Sequence, residues 1–479
     1  MIHPRMNRRA LLALAAAPWL RAARSSRYEV ARIEGASSAP VPSGRRAPFG
    51  WGAIRAADSV RLRFPSPGDR FRVSIAIDSR EPKIVEVRTA ETGARVGEFD
   101  MRFAYALQMF EAPLDNAAAR AARREGLVLR TIRGSEPPWI FSTGAPPPLL
   151  PHLLRSGAAR PLDEFHRRMQ GPEVLQPFGW MDGCVLDGLA QAGYRQALDR
   201  HLARFVPDGV SLVYEDARSA PADGRIASIE ESLPVAHIVL RNPGHPAIAA
   251  AIDYWNSHRD AEHCIVDGAM TSAEGCYTVA YPLARVARAR RDRDLEDLAV
   301  LQLRLRARRL VAGDDFFLRN TAGGSRTFRN WSRGVAWYML GLVRTLDVLK
   351  DREDLQDLRR ELQRMTEWAL RRQSEGGLWS CFLDDPATGP ETSGSAGIAA
   401  AVVLASAAGL AGAGVLEAAA KTSRALVNYL TPDGFLSGVT QSNRGGEQLQ
   451  RSGYRVLSQM GMGLMAQLLG ACDQARRSS

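Results

Sequence analysis

The sequence predicts a mainly α fold, an (α/α)6 toroid preceded by a small N-terminal β-rich domain, and three observations carry that prediction. Helices that are apolar around most of their circumference begin near Trp180, Glu230, Glu274, Arg333, Ser393 and Tyr454. More amphipathic helices lie between them, at Tyr194–Phe205, His245–Trp255, Leu295–Val311, Leu355–Arg371 and Val415–Leu430. A buried helix followed by a half-exposed one, repeated along the chain, is the pattern of a double ring of helices. The last helix, Met460–Leu469, is strongly apolar, whereas an open solenoid requires a polar capping repeat. The twelfth helix is expected from Leu162–Met169, closing the ring beside the C-terminus.

Taken in order, residues 1–28 carry Arg5, Arg8, Arg9, Arg21, Arg24 and Arg27 around the apolar run Ala10–Leu20, with no acidic residue. The run is too short to span a bilayer and suits a signal peptide of twin-arginine type over residues 1–27, cleaved near Ala22 or Ala23. Export to the periplasm or the extracellular space is therefore expected, with no integral membrane segment after signal removal. Residues 28–142 read as the β-rich domain. Val60–Phe64, Phe71–Ile77 and Ile84–Arg88 are rich in branched and aromatic residues, and turn segments such as Pro65-Ser66-Pro67-Gly68-Asp69 separate them. A helix is expected near Asn116–Gly126, and the domain could serve as a wall of a cleft or as a homodimer contact. Residues 143–177, opening with Thr143-Gly144-Ala145-Pro146-Pro147-Pro148, read as a linker plus the closing helix, and residues 178–472 as the toroid, helical to its end.

Composition narrows the function classes. The 479 residues are 45% hydrophobic and carry a formal net charge of +11, mostly arginine, which gives a sizeable core and, by length, two domains. Acids and bases are interspersed along helices such as 285–296 and 352–372, so the charge reads as solvated faces and not as a nucleic-acid footprint. Its sign would still favour an acidic polysaccharide fragment. The five cysteines, Cys184, Cys264, Cys276, Cys381 and Cys472, are scattered without a Cys-x-x-Cys pair, which argues against a zinc site or a disulfide framework. His258-Arg259-Asp260-Ala261-Glu262-His263 lies in a charged connector without a fixed face, and Gly409–Gly414 lacks a phosphate-binding lysine. No cofactor and no metal are expected.

Chemistry concentrates where the inner helices start. In a toroid of parallel inner helices these starts share one mouth, and their free N–H groups and dipoles favour an anion there. The mouth would offer Trp180 and Asp182, Glu230, Glu274 and Tyr277, Trp331 and Arg333, Ser393, and Tyr454. Two tryptophans and an arginine within seven residues, Trp331 to Trp337, supply stacking faces and a guanidinium fork suited to a sugar acid. Singly, Glu230 and Glu274 are ordinary first-turn acids. As a facing pair they could share one proton, raising one pKa into the range of a general acid.

The pattern Trp331-x-Arg333-Gly334-x-x-Trp337-Tyr338, with Gly377-Leu378-Trp379 and Glu391-Thr392-Ser393-Gly394-Ser395-Ala396, resembles the unsaturated uronyl and rhamnogalacturonyl hydrolases of glycoside hydrolase families 88 and 105. The resemblance covers about residues 178–469. It implies a six-hairpin helical toroid and an aspartate that protonates the C4–C5 double bond of a terminal unsaturated uronic acid. Water then adds at C5 and the hemiketal falls apart. That aspartate's position falls on Glu274, with Tyr277, Leu283 and Ala284 in step, and a second family aspartate falls on Glu230, four residues before Pro234. Both acids are thus glutamates where the family has aspartates, and an extra methylene displaces a carboxylate by more than catalysis tolerates without rearrangement. Arg319 stands where members often carry histidine, and Asp267, in Val266-Asp267-Gly268, mimics a family string and competes with Glu274 as principal acid.

The resulting expectation is a glycosidase acting on the terminal unsaturated uronic acid of an acidic oligosaccharide. Glu274 would be the general acid and base, with Glu230 assisting. Arg333 would bind the sugar carboxylate with Arg319 as a further carboxylate ligand, and Trp180, Tyr277, Trp331, Trp337 and Ser393 would shape the sugar site. Direct hydrolysis of saturated β-glucuronides by the Glu230/Glu274 pair is the competing chemistry. A non-catalytic acidic-sugar binding protein is the alternative from another class.

Overall fold

The computed structural model describes residues 27–35, 40–157, 160–412 and 414–478. Residues 1–26, which hold nearly all of the expected export signal, lie outside the described residues.

The N-terminal part is β-rich from Tyr28 to Leu154. A five-stranded sheet has the order Arg32–Glu34, Arg61–Arg63, Leu127–Arg133, Ile84–Thr89, Arg95–Asp100. A four-stranded sheet has the order Tyr28–Val30, His152–Leu154, Arg70–Ser74, Met109–Pro113. Val85 and Val87 alternate with partly exposed neighbours, as a strand buried on one face must. Helix α1, Asn116–Glu125, begins where the Asp115 carboxylate accepts the Ala118 N–H at 2.7 Å. The β-rich part outruns its expected boundary at 142. His152–Leu154 falls in the segment read as linker, yet it pairs with two strands, and three residues are too few to show alternation.

The rest is a closed ring of helices. The inner layer is α3 (Trp180–Gln191), a 3-10 turn (Ile229–Ser232) leading to α5 (Val235–Arg241), a π-helical turn (Cys276–Ala280) leading to α7 (Tyr281–Arg290), α9 (Ser332–Val348), α11 (Thr392–Ala407) and α14 (Gln459–Ser478). Each packs on the next, and α14 packs on α3, which closes the ring. The outer layer is α4 (Arg195–Phe205), α6 (Pro246–Ser257), α8 (Arg293–Leu310), α10 (Gln356–Leu370) and α12 (Val415–Val427), with α2 (Pro161–Met169) against α14 as the twelfth member. The short helix α13 (Gly446–Arg451) precedes α14. Inner helices approach closely because small residues face each other. A Cβ on Gly188 would stand 2.4 Å from the Gly463 carbonyl oxygen, and one on Gly341 would stand 2.2 Å from the Cys276 backbone.

The toroid region is not helical throughout, as the sequence suggested. Asp315–Thr321 pairs with Arg326–Arg329 and with Met270–Ser272, and Ser380–Phe382 pairs with Asp385–Pro390. These hairpins precede inner helices, and the first turns at Gly323-Gly324 with Phe316 and Leu318 as its buried row.

The ring's centre is polar. Asp187 of α3 is buried and accepts from His237 Nε2 at 2.8 Å and from the Tyr277 hydroxyl, with Arg344 of α9 at 3.4 Å. The β-rich part joins the toroid through a second buried pair. Arg72 donates to Asp433 at 2.7 Å, both fully buried, and the Tyr28 hydroxyl donates to the same carboxylate oxygen at 2.7 Å. One hydrophobic core runs through both parts, taking Trp51, Leu107, Trp139 and Phe141 from the first and Phe178, Met181 and Phe205 from the second. Trp139 is thus interdomain packing.

Candidate active site

The entrances of α3, the 229–232 turn, the 270–276 segment and α9 meet at one cleft. It is lined by Trp180, Met181, Glu230, Glu274, Trp331, Arg333, Trp337, Ser442, Asn443 and Arg444. Glu274 follows the strand Met270–Ser272 and precedes the π-helical turn, a local widening that recurs at functional sites. Its backbone is pinned from behind, because the buried Arg306 donates Nε to the Ser272 carbonyl at 3.0 Å. Its carboxylate accepts from the Ser272 hydroxyl at 2.8 Å and from Asn443 Nδ2 at 2.9 Å, one donor on each oxygen.

Glu230 lies in the 3-10 turn, partly buried, and hydrogen-bonds to none of the described residues. Its neighbour Glu231 is buried and bound to the Tyr214 hydroxyl at 2.7 Å and the Ala227 N–H at 2.6 Å, a structural role. Burial first, and then the charge of Glu274, push the Glu230 carboxyl up to about 8, against the opposing pull of Arg444 and Arg319. Glu230 is thereby biased toward its protonated form, beside a Glu274 carboxyl that accepts one hydrogen bond on each oxygen.

The aromatic wall is continuous. Trp180 meets Trp337 edge-on with ring centroids 5.4 Å apart, and Trp337 stacks on Tyr277 at 5.9 Å. Arg333 is buried between Trp331 and Trp180, its guanidinium carbon 4.7 Å and 5.7 Å from their ring centroids. No carboxylate pairs with it among the described residues. Nη1 donates to the Thr440 carbonyl at 2.7 Å and Nη2 to the Gln441 carbonyl at 2.6 Å, while Nε is buried without a partner. The entrance it occupies is a bent backbone. Phe328 and Asn330 have positive φ, at 56° and 55°, and the Asn330 side chain fixes the bend by accepting the Phe316 N–H at 2.8 Å.

Residues 280–475 match the model of Glycosyl Hydrolase Family 88. Solved structures share the fold. A possible member of family 105 from Salmonella enterica serovar Paratyphi A superposes with a TM-score of 0.54 at 19% identity, over 63% of this chain and 84% of that one. A family 105 glycoside hydrolase from C. acetobutylicum gives 0.54 at 17% identity, over 65% and 98%. A possible family 105 member from Klebsiella pneumoniae gives 0.53 at 18%, over 63% and 83%. The toroid is glycoside hydrolase family 88/105-like. Comparison with curated proteins finds no match. The family model supports a glycosidase, and about a third of this family 88/105-like chain extends beyond what those structures cover.

The structure brings together Glu230, Glu274, Trp180, Trp331, Arg333 and Trp337, and leaves four expected residues outside the cleft lining. Tyr277 is fully buried, its hydroxyl given to Asp187, so it supports Trp337 from beneath and does not face a ligand. Ser393 is buried and donates its hydroxyl to Glu391 at 2.6 Å. Glu391 itself caps α11 through the Ser393 and Gly394 N–H groups, so the Glu-Thr-Ser segment here is a helix cap. Asp267 is exposed in a turn closed by paired backbone bonds with Met270, and reaches the site only as a charge that raises Glu230. Arg319 lies over the Phe328 ring at 5.5 Å and acts on Glu230 from a distance. Asp182, a weaker third acid on sequence grounds, is buried beneath the mouth and pushed up to about 8 by burial. Sequence reasoning missed Asn443 and Arg444. They sit in a 3-10 turn, Asn443–Gly445, without apolar periodicity, and only the fold carries that turn to the mouth.

Proposed function

We propose that this protein is a glycosidase that removes the terminal unsaturated uronic acid of an acidic oligosaccharide by hydrating its C4–C5 double bond. The observation that carries the reading is the pairing of Glu230, whose carboxyl is biased toward its protonated form, with Glu274, which accepts hydrogen bonds from Ser272 and Asn443, in a tryptophan-walled cleft that also holds Arg333. Sequence reasoning gave protonation to Glu274. The environments favour the reverse division, with Glu230 delivering the proton to C4 and Glu274 taking one from the water that adds at C5. Arg333 lines the cleft with both Nη atoms held by backbone carbonyls and would set its positive charge beside a sugar carboxylate. Export directed by residues 1–27 belongs to the same proposal, and fractionation of cells producing the full chain tests it.

Incubation with a lyase-generated unsaturated glucuronyl disaccharide tests the chemistry, because the ultraviolet absorbance of the conjugated double bond falls only if that bond is hydrated. Unchanged absorbance, with glucuronate released from a saturated β-glucuronide, would replace hydration with direct hydrolysis, which the Glu230/Glu274 pair could also perform. Binding of both compounds without turnover of either would leave a sugar-binding protein.

A further inference from the structure

The five-stranded sheet of the β-rich part has one dry face and one wet one. Leu62, Val85, Val87, Leu127 and Leu129 are buried on the inner face, and alternation along each strand puts their neighbours on the outer face. Cross-strand register sorts those neighbours into rows. One row runs Glu34, Arg61, Val128, Arg88, Arg95 across all five strands. A second sets Arg130 beside Glu86 and Glu98, a third sets Arg133 beside Ile84 and Asp100, and Arg32 stands opposite Arg63.

The carboxylates of this face are too few for its guanidinium groups. Glu34 is shared by Arg63 at 3.4 Å and Arg32 at 3.7 Å, and Arg63 has Glu91 as a second partner at 3.4 Å. Glu86 is shared by Arg88 at 2.6 Å and Arg95 at 3.7 Å, Arg95 also takes Glu98 at 2.7 Å, and Asp100 goes to Arg102 at 2.8 Å. Arg61, Arg130 and Arg133 are exposed and pair with no carboxylate among the described residues, although Arg61 stands opposite Glu34 and Arg130 opposite Glu86. Arginine also faces arginine at Arg32/Arg63 and Arg88/Arg95, an arrangement that destabilises a sheet and that bound carboxylates would relieve. Ile132, 52% exposed, adds an apolar step at a bulge between Arg130 and Arg133.

We propose that this outer face is a docking surface for an acidic polysaccharide, a polyuronate chain lying along the strand Leu127–Arg133. The three unpaired arginines fall in a line that suits it. Arg61 is diagonal to Arg130, about 7–8 Å away, and Arg133 follows about 10 Å further along the strand. Guanidinium forks match planar carboxylates, but each exposed contact adds little. A ligand that repeats its charge engages several arginines at once, so a polymer is held where a disaccharide is not. The choice of a polyuronate among polyanions follows from the uronide reading of the cleft, and the proposal goes beyond that reading by giving the β-rich part a ligand of its own.

Electrophoresis of the full chain through gels holding polygalacturonate or dextran tests it, beside gel shifts with duplex DNA and flotation with phosphatidylglycerol vesicles. Polygalacturonate should retard the protein at low salt and release it near about 1 M salt, where charges are screened within about 3 Å, and dextran should not retard it. The triple variant Arg61→Ala, Arg130→Ala, Arg133→Ala should bind the polymer about tenfold less tightly, with the parent's melting temperature and the parent's turnover of the unsaturated disaccharide. No retardation of the parent, equal retardation of the triple variant, or DNA or vesicle binding as tight as polymer binding and lost in the same variant overturns the proposal. Disaccharide turnover without polymer binding overturns it alone and leaves the uronide reading standing. Polymer binding that the triple variant loses, with no disaccharide turnover, upholds the docking surface and overturns the uronide reading.

Discussion

The toroid holds two carboxylate centres built to opposite ends. At the ring's centre, Asp187 is buried, and burial alone would raise its pKa, but Arg344, His237 and the Tyr277 hydroxyl outweigh it and hold the group down at about 2. At the mouth, Glu230 has no such donors, faces a second carboxylate, and is pushed up to about 8. Four donors, His237, Tyr277, Tyr281 and Arg344, against the like charges of Glu274 and Asp267 separate a charge that locks helices together from a carboxyl biased toward its protonated form. A buried acid is thus assigned to structure or chemistry by its neighbours, not by its depth.

The sharpest way to break this contrast is to remove the carboxylates of each centre in turn. Glu230→Gln and Glu274→Gln should each lower kcat/KM on the unsaturated disaccharide by roughly a hundred- to ten-thousandfold while leaving the melting temperature at pH 5 near that of the parent. An active Glu230→Gln would reassign the proton donor. Asp187→Ala should do the opposite, costing about 3–5 kcal/mol in urea unfolding because Arg344 is left buried and uncompensated. Loss of activity without loss of stability there would place Asp187 in the chemistry.

The pH dependence sharpens the comparison further. Because the folded Glu230 carboxyl titrates near 8, above its ordinary 4.5, it favours the fold fully below that ordinary value, and the contribution fades as pH rises through about 8. Turnover should fall over the upper part of the same window as the proton is lost. Glu230→Gln should therefore gain melting temperature relative to the parent as pH rises from 5 to 9, and a constant gap would remove the raised pKa. The smallest effect is expected at the α11 cap. Ser393→Ala should cost about 1 kcal/mol in stability and leave KM unchanged, as a cap contact would and a sugar contact would not.

The ring was legible because its signal is periodic. The inner-helix starts at Trp180, Arg333 and Ser393 fall within a residue of the observed helices, since apolar circumference is imposed by burial on all sides. Tyr454 misses the start of α14 by five residues, at Gln459, because it lies in a loop held against the β-rich part, where its hydroxyl donates to the Asp100 carbonyl. The site was legible in its acids and tryptophans, which are sparse and sit at helix entrances. It was misread where a polar residue at an entrance satisfies its own helix, as Ser393 does through Glu391, or the core, as Tyr277 does through Asp187. Arg444 and Asp78 left no local trace, because what makes them a pair is a contact across 366 residues of chain.

The Arg72–Asp433 pair also limits how a sugar chain can enter. Arg72 has Glu111 of its own part as a second partner, but Asp433 takes both Arg72 and the Tyr28 hydroxyl from across the interface, so swinging the two parts open would strip both from a dry carboxylate. Entry of the proposed oligosaccharide would then rely on loop adjustment near 216–219 and 442–445, and turnover is expected to respond to rigidifying those loops before it responds to anything that staples the domains together.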